Sequence, residues 1–344
     1  MVKAAGRSKV ANPLAAIPSL GIPVRRVRFA CRADRPFALP LGDTLGPWYA
    51  FRGLIGAAIT AMSTDLASRL FKPAPVEGSR ERPTTPWRLR LANLFAREVT
   101  DLFSFSVDLL GEEPCALAAE FAEAVRLAGS GTAFEDWRGG NLNRFGIDVR
   151  DEDGTFLDKV GYKVIAQDLG EPIRLCDLAK AAASRWRGAT GAMLVLRTLT
   201  VLSERVEGLG KGQALRTTGD ISAATMVGNV LRRLCVLDIA TRRVPMGRSP
   251  EALSDAVEAR DAAMAALVGR FPLVCADAVT HEVEREARQA PRLRGLIGSA
   301  VFSGERLGPW VPGFVACEVL GVGESTVYGA GQVAWLPIAS KEEA

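Results

Sequence analysis

The sequence predicts an α+β protein built from two successive units, each with the element order β-α-β-β-α-β. Segments that alternate apolar and polar residues, typical of strands, are interleaved with segments of helical apolar spacing, and this succession occurs twice. The chain has 344 residues, which suits two domains. Since β-α-β-β-α-β is the ferredoxin-like order, we expect two tandem ferredoxin-like units.

The first unit is expected over residues 23–150, after a flexible lead-in at 1–22. The run VRRVRFACRADRPFALP alternates Val and Phe with Arg, as a half-buried strand does. The elements then follow in order: a helix at 46–71, two strands within 87–111, a helix at 113–129 and a last strand before the DEDG turn at 151–154.

The second unit is expected over residues 191–338, after a connector at 151–190 that contains a short strand and a helix. A helical insertion at about 221–290 separates its first two strands, and Ser249 followed by Pro250 marks the start of one inserted helix. The remaining elements are a strand at 191–206, a strand at 291–304, a short helix at 307–323 and a last strand at 325–337.

The pentapeptide RGLIG occurs twice, at 52–56 and at 294–298. Its surroundings have helical spacing in the first case and strand-like spacing in the second. We therefore interpret the repetition as coincidence.

Composition excludes several classes of function. The apolar run at 54–62 is far shorter than the roughly 20 residues of a membrane span, and nothing resembles a secretory signal. Six widely spaced cysteines predict reduced thiols in a cytoplasmic protein. The single histidine, His281, excludes a histidine-based metal site, and its acidic surroundings predict a surface helix. We expect no metal and no small-molecule cofactor.

Positive charge is concentrated in two segments. Residues 1–35 hold eight basic residues and one acid, and residues 206–248 hold seven basic residues and three acids. Of the 43 basic residues in the chain, 35 are arginine, whose planar fork suits phosphate. The two segments predict one electropositive surface for a polyanion, although scattered solvated arginines are the alternative.

A glycine-rich loop lies close to the end of the sequence, in EVLGVGESTVYGAGQVAW at 318–335. It lacks the Lys-Ser/Thr pair of a P-loop. The letters GAGQVA fit a dinucleotide fingerprint, but the few residues after it leave no room for the rest of that fold. A loop whose backbone N–H groups lie along a polynucleotide is the remaining interpretation.

Residues 293–335, from LRGLIGSAVFSG to GVGESTVYGAGQVAW, resemble the terminal signature of the CRISPR-associated repeat-RNA-processing endoribonucleases. These enzymes belong to the repeat-associated mysterious protein (RAMP) superfamily. GPWYAFRGLIGAAI at 46–59 and MVGNVLRRLCVL at 226–237 are similar to helices of the same family. One departure is Glu324, where the family often carries a basic residue. The all-arginine pattern suggests the type IV version.

The resemblance implies metal-independent cleavage of the stem-loop in CRISPR repeat RNA, with retention of the mature guide RNA. It also implies other CRISPR effector subunits as partners and no membrane. Many family members use a histidine base near the first helix, which is missing here, so charge stabilisation by arginine would carry the reaction. The candidate catalytic residues are Arg28, Tyr49, Arg52 and Arg242. The candidate RNA-binding residues are Arg25, Arg26, Lys211, Arg216, Arg232, Arg233, Arg243, Gly321, Gly323, Gly329 and Gly331.

The missing histidine also favours an alternative within the same superfamily, a non-catalytic subunit that binds guide RNA in an effector complex. A small-molecule enzyme is the more distant alternative.

Overall fold

The computed structural model describes residues 11–38, 46–71, 75–76, 85–91, 99–130, 161–201, 203–204, 213–214, 221–244, 247–285, 293–323, 326 and 330–339. Within these ranges it contains a five-stranded and a four-stranded antiparallel sheet, each with its own helices packed on one face, and a two-stranded pair. No helix in them combines the length and apolarity that crossing a bilayer requires.

The first sheet has the strand order β2-β3-β1-β4, and β5 pairs with the start of β1. All of its pairs are antiparallel. In chain order the elements are β1 Pro23–Ala38, α1 Gly46–Met62, α2 Thr64–Phe71, β2 Trp87–Leu91, β3 Val99–Leu110, α3 Glu112–Ala116, α4 Ala118–Ser130, β4 Tyr162–Asp168 and β5 Ile173–Arg174.

The second sheet has the order β11-β6-β10-β9, again fully antiparallel. Counted by their order in the chain, the four strands of this sheet lie in the spatial order second, third, first, fourth. The strands β1 to β4 of the first sheet lie in the same order. In chain order the elements are α5 Leu175–Ala183, β6 Ala189–Thr200, the short pair β7 Ser203–Glu204 and β8 Gln213–Ala214, α6 Ala223–Ala240, α7 Pro250–Arg270, β9 Val274–Arg285, β10 Leu293–Ser303, α8 Val311–Leu320 and β11 Val333–Ala339.

Both sheets therefore have the ferredoxin-like strand order, and the predicted fold class is confirmed. Ser249 caps α7 as expected, because its side-chain oxygen accepts a hydrogen bond from the N–H of Ala252 at 3.1 Å. RGLIG lies in α1 at its first occurrence and in β10 at its second, in agreement with the two interpretations of its surroundings.

Each unit has its own apolar core. In the first, Val27, Phe29 and Phe105 on the sheet pack against Phe51 of α1 and Phe121 of α4. In the second, the faces of α6 and α8 cover the side chains of β6, β10 and β11. Burial of these faces is the main stabilising contribution.

Two segments differ from the predicted boundaries. Residues 13–21, expected to be part of a flexible lead-in, form two short 3-10 helices, and Leu14, Ile17 and Leu20 are buried in the second core. Residues 161–174, expected to be connector, supply β4 and β5 of the first sheet. The strand predicted before residue 151 lies outside the described residues.

The prediction of a helix around His281 is wrong. His281 is exposed and belongs to β9, opposite Ile297 of β10. Ala278 and Thr280 point toward the second unit's core and alternate with exposed Asp277, Val279 and His281, so the period is that of a strand. The charges spaced along this segment suggested a helix, but pairing with β10 satisfies its backbone instead.

Candidate nucleic-acid interface

The first sheet presents its charged residues on the face opposite its own helices α1 and α4, and one end of that face, at Val24 and Leu110, packs against the second unit. Along each strand the apolar residues point into the core, and the residues between them point the opposite way. We call this surface the open face. Its polar residues are Arg26, Arg28 and Arg32 on β1, Arg88 and Arg90 on β2, Ser104, Ser106 and Asp108 on β3, and Asp168 on β4.

Asp108 is the centre of the charged group on the open face. It lies on β3 directly opposite Arg26 of β1 and Arg88 of β2, and its side chain is fully buried. Arg26 donates to both carboxylate oxygens, from Nε at 2.7 Å and from Nη2 at 3.2 Å. Arg90 reaches the same carboxylate, with Nε 2.8 Å from Oδ2.

Arginines of the open face also hold the end of α8, which belongs to the second unit. Arg88 Nη1 donates to the carbonyls of Glu318 at 3.3 Å and Val319 at 3.2 Å, and Arg90 Nη2 donates to the Glu318 carbonyl. The last carbonyls of a helix have no partner within it and carry the negative end of its dipole, so cations are favoured there. Arg88 and Arg90 therefore join the first sheet to the glycine-rich loop of the second unit.

Arg233 of α6 approaches the same helix end from the second unit. Its Nη2 donates to the carbonyls of Leu320, at 2.9 Å, and Gly321, and its Nη1 donates to Gly323 O and Thr326 Oγ1, both at 3.2 Å. We call Arg26, Arg88, Arg90 and Arg233 the arginine cluster. It sets four guanidinium groups against the two carboxylates of Asp108 and Glu318.

The glycines of the loop have backbone conformations that other residues rarely adopt. Gly321, Gly323 and Gly331 have φ values of 74°, 82° and 61°. The N–H of Val322 donates to the carbonyl of Gly331 at 3.0 Å, which closes the two ends of the loop on each other. The loop therefore has a defined start and end beside the arginine cluster.

Burial and mutual repulsion shift the pKa values within the arginine cluster. Burial lowers the pKa of Arg88 well below its ordinary value, and the neighbouring charge of Arg90 lowers it further. Burial also lowers the pKa of Arg233, to about 10, which leaves the group charged at neutral pH. Arg26 differs: burial opposes its charge, but the hydrogen bond and charge of Asp108 outweigh burial and raise its pKa.

A second-unit arginine also acts on this region. Burial lowers the pKa of Arg90, and the charges of Arg26 and of exposed Arg197 on β6 contribute in the same direction. Asp108 and Glu318 raise it, but not enough to reverse the shift. Both units therefore bring positive charge to the edge of the open face.

The four predicted catalytic residues lie in different places. Arg28 is on the open face, 59% exposed, and its Nη1 lies 2.6 Å from Asp168 Oδ2. Arg52 is buried on the helix-covered side, where it donates to Thr85 and stacks on Phe71 and Trp87. The structure thus places Arg28 and Arg52 on opposite sides of the first sheet.

Of the other two, Arg242 lies in the second unit, and Tyr49 lies about one turn before Arg52 in α1. Arg242 follows the end of α6, where its Nη2 donates to Asp238 at 2.9 Å and its Nη1 to the carbonyl of Gly247 at 3.4 Å. Tyr49 lies in α1, and its side chain is outside the described part of the chain. The roles assigned to these residues stay predictions.

The predicted RNA-binding residues divide in the same way. Arg25 donates to the carbonyls of Leu169, Gly170 and Cys115, while Arg232 and Arg243 are exposed. Lys211, Arg216 and Gly329 lie outside the described residues. Of that set, the structure brings together Arg26, Arg233, Gly321, Gly323 and Gly331.

Sequence reasoning did not single out Arg88, Arg90 and Asp108. A signal existed, because WRLRL and SFSVDLL were both predicted as strands, and their charged residues occupy the alternate positions. The register that sets Asp108 opposite Arg26 and Arg88 is a tertiary property, which the alternation alone does not specify.

Within the described ranges, no group of three His, Cys, Asp or Glu side chains is arranged to hold a metal ion. The charged chemistry that the site offers is therefore that of guanidinium groups, backbone N–H groups and two carboxylates.

No protein-family model matches the sequence, and no curated protein is significantly similar to it. Solved structures do match the fold. A Cas6 product complex has a TM-score of 0.51 at 15% identity, and the match covers 91% of this chain and 99% of that chain. A partial Cas6-RT-Cas1–Cas2 complex has a TM-score of 0.54 at 10% identity, covering 96% and 48%. A Thermus thermophilus Cas6 has a TM-score of 0.46 at 15% identity, covering 92% and 99%.

At sequence identities of 10% and 15%, the structural similarity establishes the fold of the chain. The chain is a protein of two tandem ferredoxin-like units. More particularly, it has the fold found in Cas6 proteins, so the resemblance inferred from the sequence is confirmed at the level of the fold.

Proposed function

We propose that this protein binds CRISPR repeat RNA across the open face and the adjoining glycine-rich loop, and cleaves it as an endoribonuclease. The observation that carries the proposal is the surplus of guanidinium over carboxylate in the arginine cluster, at the junction of two units with the Cas6 fold. A Cas6 product complex is among the similar solved structures, which supports RNA as the ligand class.

Positive charge on the open face would be neutralised by the phosphates of RNA. Binding that replaces condensed counterions depends steeply on salt, so we expect affinity to fall as ionic strength rises. Stacking contributes less, because the aromatic residues of the first sheet, among them Phe29, Phe103 and Phe105, are buried in the core. The proposed recognition is therefore of backbone and shape.

The proposed reaction is an internal transfer that needs no metal. The 2′-hydroxyl oxygen forms a bond to the adjacent phosphorus, and the bond from phosphorus to the 5′-oxygen breaks. The 2′-hydroxyl loses a proton and the departing 5′-oxygen gains one, which gives a 2′,3′-cyclic phosphate and a 5′-hydroxyl. Arginine would stabilise the negative charge that develops on the phosphorane oxygens.

Arg28 is the best placed of the four catalytic candidates for this role, because it is exposed on the open face and its only ion pair in the described part of the chain is a solvent-exposed one. Arg52 and Arg242 have structural partners that RNA would have to displace. His281, the sole histidine of the chain, is on β9 of the other sheet.

The second candidate function is a non-catalytic subunit that holds guide RNA. The separation of Arg28 from Arg52 by the first sheet favours it, since two of the proposed catalytic groups do not face one phosphate.

Either function places the protein among other CRISPR proteins, and a similar structure is part of a Cas6-RT-Cas1–Cas2 complex. We propose such proteins as partners and the cytoplasm as the location.

One experiment separates the two functions. The purified protein is incubated with cognate repeat RNA in EDTA, and the products are separated and tested with a phosphatase and polynucleotide kinase for a cyclic phosphate end. A single cut with that end supports the endoribonuclease. Tight binding of uncut RNA supports the guide-RNA subunit, and the absence of RNA binding contradicts both.

A further inference from the structure

We propose that Asp108 is a positioning residue that presets Arg26 and Arg90 as a binding site for a single phosphate group. The identification of that phosphate as part of an RNA backbone rests on the function proposed above. The site itself rests on the geometry of three side chains on adjacent strands.

The carboxylate of Asp108 is placed to hold two guanidinium groups at once. β3 lies between β1 and β2, and Asp108 is fully buried between the arginines that flank it. Arg26 contacts both of its oxygens through Nε and Nη2, while Arg90 contacts Oδ2 through Nε. One carboxylate thus accepts hydrogen bonds from Arg26 and forms an ion pair with Arg90, whose Nε is close to Oδ2 but lacks hydrogen-bond geometry.

Both arginines keep donors for a further ligand. Among the described residues, neither Arg26 Nη1 nor Arg90 Nη1 has a hydrogen-bond acceptor. Each Nη1 carries two N–H groups in a fixed plane, which suits the tetrahedral oxygens of phosphate. The side chains are 36% and 24% exposed, so solvent reaches this edge of the buried carboxylate.

The charge balance indicates an anion. Arg26, Arg90 and buried Arg88, which lies directly across from Asp108, set three guanidinium groups against the carboxylates of Asp108 and Glu318, so one guanidinium is in excess. A buried ion pair gives little net stability by itself, because desolvation opposes the Coulombic gain. A phosphate bound to Arg26 and Arg90 would neutralise the excess beside the glycine-rich loop.

For one substitution, the proposal and simple electrostatics predict opposite changes in RNA affinity. Asp108→Asn removes a negative charge from the open face, so general attraction would tighten RNA binding. If the carboxylate presets the arginines, the same substitution weakens binding. Asp168→Asn is the matched control, because it also removes one carboxylate from the open face, at an exposed position beside Arg28.

The affinities of the parent protein and both variants are measured by fluorescence anisotropy with a labelled RNA hairpin that has single-stranded flanks. We expect Asp108→Asn to weaken binding about tenfold, the effect of one lost charge-assisted contact. Asp168→Asn should bind as tightly as the parent or more tightly. Equal or tighter binding by Asp108→Asn overturns the proposal.

A second arm applies if Asp108→Asn does not fold or if the parent protein binds no RNA. Thermal unfolding is then followed in sodium sulfate and in sodium chloride at equal ionic strength, with sulfate as the phosphate analogue. We expect sulfate to stabilise the parent and the control Arg185→Met/Arg187→Met, which removes two exposed arginines, more than the double variant Arg26→Met/Arg90→Met. An equal gain in all three overturns the site. Sulfate stabilisation without RNA binding retains the phosphate site while the proposed RNA function fails.

Discussion

The guanidinium of Arg88 occupies the space that a side chain on residue 321 would need. A β-carbon placed on Gly321 would lie 2.6 Å from Arg88 Cζ and 2.7 Å from its Nη1. Gly321 also has a φ of 74°, which favours glycine. The glycine therefore permits both the turn after α8 and the contact between the two units.

Gly321→Ala should destabilise the protein by about 1–3 kcal/mol, through backbone strain and displacement of Arg88. The free energy of unfolding by urea measures this loss. Gly269→Ala is the control, since that glycine is in α7 and a β-carbon there would touch nothing. The control should be neutral or slightly stabilising. Equal stability of Gly321→Ala and the parent would contradict the role assigned to the contact.

Arg233→Met should also destabilise the protein, by about 2–3 kcal/mol, because it leaves carbonyls at the end of α8 without their donor. The methionine keeps much of the side-chain volume, so the loss reports hydrogen bonding more than packing. Arg187→Met, at an exposed position, should change the unfolding free energy by less than about 0.5 kcal/mol. If both variants unfold alike, Arg233 does not hold the loop.

Periodicity was enough to predict the fold because both units bury one face of each strand and helix. The alternation in β1 and the cap at Ser249 are local properties, and local properties survive in the folded chain. RGLIG shows the limit of local reasoning. The same five residues are helical at 52–56 and extended at 294–298, so their neighbours decide the conformation.

The candidate site was only partly predictable. The glycine loop and Arg26 of β1 are visible in the sequence, and both lie at the junction of the two units. Asp108 binds Arg26 because the strand register sets the two residues opposite each other. Arg88 binds the end of α8 because that helix of the second unit packs against the first sheet. Such contacts between distant segments leave no periodic signal.

Stability should fall steeply with pH above about 9. Burial raises the pKa of Cys31, Cys115 and Cys317 to about 12, whereas an unfolded thiol has a pKa of about 8.5. Between these values the unfolded chain releases protons that the folded protein retains. The stabilisation is therefore complete below about pH 8.5 and is lost as pH rises toward 12, by about 1.4 kcal/mol per pH unit for each thiol.

Cys31→Ala should reduce this slope by about 1.4 kcal/mol per pH unit, measured as the unfolding free energy between pH 9 and 11. Val27→Ala is the matched control, because Val27 is buried on the same face of β1 and has no proton to lose. It should lower stability at every pH and leave the slope unchanged. A Cys31→Ala slope identical to that of the parent would show that this thiol does not contribute.

Arg28→Met should weaken RNA binding with little effect on stability. Its partner Asp168 is exposed, and a solvent-exposed ion pair stabilises a fold only slightly. A contact to one phosphate contributes about one unit to the slope of log affinity against log salt concentration. We therefore expect Arg28→Met to reduce that slope by about one in anisotropy titrations, with a thermal midpoint within about 2 °C of the parent.

Arg185→Met, at an exposed arginine just after α5, is the control and should leave the slope unchanged. If both variants keep the slope of the parent, Arg28 makes no phosphate contact, and its proposed catalytic role is contradicted as well.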